Sequence, residues 1–197
     1  MHIYSDVMNE LVERRFYNLY LGKDEERIFK AQVEQPADSV SIRRDVIRLQ
    51  NEIYRDTLRL CVLYLDTIMT PRFNNQAYYE ADTGKYSKQF IDIISSVSGN
   101  TQAVIDSLNQ VQTKYGPAGF SLCTSRLLPI TEVDKHYADC EIGILRISKL
   151  VMNEERTRGI LYYEFRCGRQ CGKGELLVIE KYNNRWHIRE SVRSWVS

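Results

Sequence analysis

Two hairpins decide the fold. They comprise Gly159-Ile-Leu-Tyr-Tyr-Glu-Phe-Arg-Cys167, the turn Gly168-Arg-Gln-Cys-Gly-Lys-Gly174, Glu175-Leu-Leu-Val-Ile-Glu-Lys-Tyr182, the turn Asn183-Asn184-Arg185 and Trp186-His-Ile-Arg-Glu-Ser-Val-Arg-Ser-Trp-Val196. A strand turns successive side chains to opposite faces. Leu161, Tyr163, Phe165 and Cys167 therefore share one face, and Ile160, Tyr162, Glu164 and Arg166 the other. In the next run Leu177 and Ile179 alternate with Leu176 and Val178. Both faces are apolar, which predicts a strand covered twice. In the last run Trp186, Ile188 and Val192 read as the packed face. Arg185, His187, Arg189 and Arg193 read as a wet, basic one. Asn183-Asn184 tolerates the positive φ of a tight hairpin turn, and Gly168, Gly172 and Gly174 suit the irregular one.

The same residues carry a resemblance. Cys167-x-x-x-Cys171-Gly172-x-Gly174, Glu180-Lys181, Trp186-x-Ile188 and the ending Trp195-Val196-Ser197 are similar to the C-terminal signature of an uncharacterised family of bacterial exported or lipoprotein-type domains. Ile147-Ser-Lys-Leu-Val-Met-Asn153 stands where that family has Ser-Arg, an apolar residue and Gly-Phe-Asn, and here the Gly-Phe pair is missing. The resemblance covers about the last third of the chain. It implies an extracytoplasmic protein, in the periplasm or at the cell surface, and carries no catalytic residue.

Upstream, the pattern is helical. Val7, Met8, Leu11, Val12, Phe16, Leu19 and Tyr20 fall at helical spacing from Asp6, with Ser5 as the expected N-cap and Gly22 beyond the end. A second helix is expected from about Ser41 to Tyr54. Leu60-Cys-Val-Leu-Tyr-Leu65 reads as a buried strand, ended at Thr70-Pro71. Residues 72–86 read as an aromatic loop. Ser87–Val97 and Thr101–Tyr115 read as amphipathic helices separated by Ser98-Gly99-Asn100. A short strand in Phe120–Pro129, a helical turn in Thr131–Cys140 and a strand over Glu141–Met152 lead into the hairpins. The expected class is α+β. Residues 1–197 form one domain, with 1–57 mainly helical and 141–197 an antiparallel meander of three strands, the helices packing on the sheet.

Composition bounds the function. The 197 residues carry a net charge of +1, which argues against a nucleic-acid binder. The run Leu60–Leu65 is too short to span a membrane. No leader precedes the first helix. That leaves a cytosolic chain, or a mature one whose leader the initiating Met replaces; the resemblance favours the second. From residue 141 onward, eight Arg and three Lys face seven Glu, an excess of +4. That face suits an acidic glycan, a lipid head group or an acidic partner; it also reads as a solvated surface.

Cys167 and Cys171 flank one turn, so their β-carbons fall near bridging distance. In an oxidising compartment a disulfide is the default. The alternative is a zinc site formed by His136, Cys140, Cys167 and Cys171. Cys61 and Cys123 read as small apolar residues. Thirteen tyrosines either pack into the core or offer a contact surface. Tyr78, Tyr79 and Arg189 are the candidate contacts for a peptide or glycan. No cofactor is implied. The reading is a non-enzymatic, exported binding or interaction domain of the bacterial cell envelope, its partner a cell-envelope protein, peptide or glycan. An enzyme with a pocket between helices and a curved sheet is the other reading.

Overall fold

A computed structural model describes residues 2–16, 33, 44, 47–49, 51, 61–73, 78–80, 85–111, 115–135 and 140–197. Most of the expected second helix lies outside these, although residues 47–49 are helical and Leu49 packs against the core.

The sheet runs β4 (Ser125–Pro129), β1 (Cys61–Leu65), β5 (Glu141–Ile147), β7 (Arg158–Gly168), β8 (Cys171–Tyr182), β9 (Arg185–Val196), with β6 (Val151–Met152) added to β7. The C-terminal half is the expected antiparallel meander. The other half corrects the expectation of a wholly antiparallel sheet: β1 lies parallel to both β4 and β5. All five residues of β1 are buried, as a strand enclosed on both faces requires. The class is α+β with a mixed sheet. Outside it, β2 (Tyr79–Glu80) pairs with β3 (Lys85–Tyr86), and among the described residues the aromatic loop is partly a small ladder.

Two clusters cover the two faces of the meander. One gathers α1 (His2–Glu10) and the π-helical turn Leu11–Arg15 over Leu161, Tyr163, Phe165, Leu177, Ile179 and Trp186. The other gathers α2 (Lys88–Ser95) and α3 (Thr101–Leu108) over Ile160, Tyr162, Leu176, Val178 and Val192. Ser87 caps α2 through the Phe90 N–H, and Asn100 caps α3 through the Ala103 N–H at 3.0 Å.

Trp186 and Val192 thus belong to opposite faces, where strict alternation put them on one. Val178 pairs with Glu190 but Ile179 with Ile188, so Arg189 is an extra residue in the register; Gly174 pairs with Trp195 but Glu175 with Arg193, so Ser194 is another. Each extra residue is a β-bulge that reverses the facing of the residues beyond it. The first turns Val192 to the second cluster. It also removes Arg193 from the basic row and sets it opposite Glu175. A third irregularity lies in β5, where Gly143 has φ 145° and an added β-carbon would strike the Arg166 carbonyl. Glycine is required there.

α1 starts at His2, so Ser5 is not its cap. Ser5 and Asn9, one turn apart, instead bind segment 121–123: Ser5 Oγ accepts the Ser121 N–H, and Asn9 bonds Ser121 and Cys123. Asp6 and Glu10 accept the Trp186 and Ile188 N–H groups of the edge strand β9 at 3.1 and 3.2 Å. Two disulfides are formed. Cys167–Cys171 closes the β7–β8 turn, with Cα atoms 5.0 Å apart. Cys61–Cys140 joins the start of β1 to the residue before β5, with Cα atoms 4.8 Å apart. Cys123 is free and exposed. No helix among the described residues is long and apolar enough to cross a membrane.

Candidate functional site

The candidate site grows from one carboxylate on a strand that is otherwise apolar. Glu175 alternates with Leu177 and Ile179, so it points into the first cluster. It is 5% exposed. A buried carboxylate needs hydrogen bonds and countercharge. Directly across β7, the Tyr163 hydroxyl donates to Glu175 Oε2 at 2.6 Å. Arg15 Nη1 donates to the same oxygen at 2.8 Å and to Ser191 Oγ at 2.8 Å. Lys173, two residues earlier on the same face, holds Nζ 3.8 Å from Oε1. Arg193 stands opposite Glu175 on β9.

The π-turn sets this geometry. The Phe16 N–H bonds the Leu11 carbonyl at 3.0 Å, five residues back, and widens the last turn. Consecutive residues then both reach the sheet. Arg15 meets Glu175, while the Phe16 ring stacks on Phe165 with centroids 3.9 Å apart. Lys173 Nζ lies 5.6 Å from the centre of the Phe16 ring, within cation–π range. Single-turn π segments recur at functional sites.

Burial pushes the Tyr163 hydroxyl far above the ordinary tyrosine range, and the charge of Glu175 pushes it further. The hydroxyl therefore stays protonated and donates. Burial also lowers Lys173, with Arg15 and Arg193 adding to that pull and Glu175 opposing it. Three cations thus surround one carboxylate. Arg15 and Lys173 are partly open to solvent, with side chains 28% and 24% exposed, and Arg193 is exposed.

A second polar line crosses the opposite face. The Trp195 indole donates to the Tyr162 hydroxyl at 2.9 Å over Gly174, where a side chain would collide with both rings. Tyr162 meets Glu164 at 3.4 Å, and Arg146 bridges Glu164 at 3.4 Å and Asp66 at 2.8 Å. Asp66 follows the last residue of β1, at the carboxyl end of the parallel strands, where open α/β sheets place ligands. The recess beside it, lined by Leu65, Thr70, Tyr115 and Ile147, measures about 10 Å³. That admits about one water. Asp66 is committed to Arg146 and to the N–H groups of Ile68 and Met69. This line reads as structural support.

Of the residues singled out in the sequence, the structure brings Cys167 and Cys171 together. Tyr78 is 4% exposed, stacks on Phe90 at 4.6 Å and donates its hydroxyl to the Val192 carbonyl at 3.2 Å. Of the two readings for the tyrosines, Tyr78 takes packing. The Tyr79 side chain lies outside the described residues. Arg189 is exposed at the β9 bulge, 3.9 Å from Glu180. Of the zinc set, His136 lies outside the described residues. The three cysteines correct the expectation: Cys167 and Cys171 are bonded to each other and Cys140 to Cys61, so none offers a thiolate. Cys61, read as an unlinked apolar residue, is a bridge partner.

Arg15, Tyr163, Lys173, Glu175 and Ser191 were not anticipated as a group. A signal existed for part of it: Lys173 and Glu175 share the alternation of Leu177 and Ile179, which marks charge on an inward face. Nothing local announces that Arg15 reaches them across 160 residues. No protein-family model matches the chain, and no curated protein or solved structure matches it.

Proposed function

We propose that this chain is a binding or interaction domain of the bacterial cell envelope, working outside the cytoplasm and without catalysis of its own. The carrying observation is the state of the cysteines: four of five are paired, one pair joining residues 79 apart in sequence. Such bridges persist in oxidising compartments and are rare in the cytosol. The C-terminal Cys167–Ser197 signature, similar to that of exported domains, supports the same compartment. The reading as a binder rests on the partly open Arg15–Lys173–Glu175 group, whose cations outnumber its carboxylate. Its partner is a peptide, a glycan or a cell-envelope protein.

Cys123 supplies the test, because its thiol is free and exposed. A membrane-impermeant maleimide applied to native cells with a permeabilised outer layer and an intact inner membrane is expected to label it. Labelling that begins only after the inner membrane is lysed would contradict an extracytoplasmic site.

A further inference from the structure

We infer that the Arg15–Lys173–Arg193 group binds a single oxyanion group, a carboxylate, sulfate or phosphate, carried by an acidic ligand. This deepens the binding-domain reading and rests on it. The first ground is charge. Glu175 is the carboxylate in contact with this group among the described residues, and Arg15 holds it at 2.8 Å. That leaves the charges of Lys173 and Arg193 to balance. Lys173 reaches Glu175 only at 3.8 Å, too long for a hydrogen bond. Arg193 stands opposite Glu175 in register, yet no carboxylate among the described residues lies within ion-pair distance of it.

The second ground is geometry. Arg15 spends Nη1 on Glu175 and Ser191; among the described residues its Nη2 and Nε make no hydrogen bond. A guanidinium presents its donors in a planar fork suited to two oxygens of one group. Ser191 and Tyr163 brace this arrangement from β9 and β7, so the fork does not have to be ordered when ligand arrives. Lys173 is held over the Phe16 ring and partly withdrawn from water, which strengthens its attraction for an anion. The ion pair at the centre keeps the cations from separating, while the two outer cations remain for a ligand.

Glu175 also restrains the choice. It disfavours a ligand of high negative charge at close range, whereas one oxyanion group meets a net attraction. The Phe16–Phe165 stack beside Lys173 offers an apolar border for whatever carries that group.

The experiment is a backbone amide NMR titration of the full chain with sodium sulfate, sodium phosphate and sodium acetate, each at constant ionic strength against sodium chloride. Saturable shifts are expected at Lys173, Glu175, Ser191 and Arg193 with at least one oxyanion and not with chloride. The sulfate and phosphate arms separate those groups from the carboxylate arm. Lys173→Gln and Arg193→Gln should each weaken binding about tenfold or more, as loss of one charge-assisted hydrogen bond implies. Arg126→Gln, at an exposed arginine of β4 on the opposite edge of the sheet, should bind as wild type. No saturable shift with any of the three anions, or equal affinity in Lys173→Gln and Arg193→Gln, would overturn the inference. Either failure leaves the maleimide labelling of Cys123 unaffected, so the compartment and the ligand class are tested separately.

Discussion

The Glu10 carboxylate accepts the main-chain N–H of Ile188 at 3.2 Å, across 178 residues of sequence. One helical turn earlier Asp6 does the same for Trp186 at 3.1 Å. The match is metric: four residues of helix rise about 6 Å, and two residues of strand about 6.8 Å. A helix carrying carboxylates at i and i+4 can therefore satisfy alternate N–H groups of an edge strand. β9 ends the sheet, and an unpaired edge is a template for aggregation.

Replacing both acceptors, Asp6→Ala with Glu10→Ala, should cost about 1.5–3 kcal/mol for each charged hydrogen bond lost. Amide hydrogen exchange should show Trp186 and Ile188 losing protection while Leu161 and Tyr163 in β7 keep theirs. Unchanged protection at Trp186 and Ile188 would mean that the carboxylates do not hold the edge.

Tyr163→Phe removes only the hydroxyl that donates to Glu175 at 2.6 Å. The buried carboxylate then loses one of its hydrogen bonds. Chemical denaturation should register a loss of about 1.5–3 kcal/mol. A loss below about 0.5 kcal/mol, the range of surface substitutions, would show that Glu175 does not depend on Tyr163.

The meander was legible because its alternation is regular. Leu161, Tyr163 and Phe165 declared one face and Ile160 and Tyr162 the other, as the two clusters have it. β9 was not legible past Arg189. A bulge is one extra residue, and no residue type at Arg189 or Ser194 marks it. The run Cys61–Leu65 announced burial but not direction, since an enclosed strand is apolar throughout whichever way its neighbours run. The turn between Cys167 and Cys171 made that pair readable. Cys61 and Cys140 meet only because β1 and β5 lie side by side, which is a tertiary fact. The candidate site was hidden for the same reason: Arg15 and Glu175 come from opposite ends of the chain.

The two disulfides should contribute unequally. On the chain-entropy account, a bridge spanning 79 residues contributes about 4.5 kcal/mol and one spanning 4 about 2 kcal/mol. Cys61→Ser with Cys140→Ser should therefore lower the denaturation midpoint more than Cys167→Ser with Cys171→Ser. The reverse order would show that strain or packing, rather than loop closure, sets their worth.

Stability should fall at alkaline pH. Burial raises Tyr162 to about 12, with the charge of Glu164 adding to it, and burial raises Tyr78 and Tyr163 as well. An unfolded tyrosine ionises near pH 10. Above that pH the unfolded chain releases protons that folded Tyr162 still holds, so the unfolded state gains. The stabilisation is full below pH about 10 and is lost as pH rises toward 12. Absorbance at about 295 nm should show these tyrosines ionising together with unfolding. Their complete ionisation near pH 10 in a chain that remains folded would contradict their burial.

The central claim is a disulfide-bonded domain working outside the cytoplasm. Peptide mapping by mass spectrometry, on protein taken from its native cells and alkylated before reduction, tests it most directly. The account predicts one alkylated cysteine, Cys123, with Cys61 linked to Cys140 and Cys167 to Cys171. Five alkylated cysteines would contradict it.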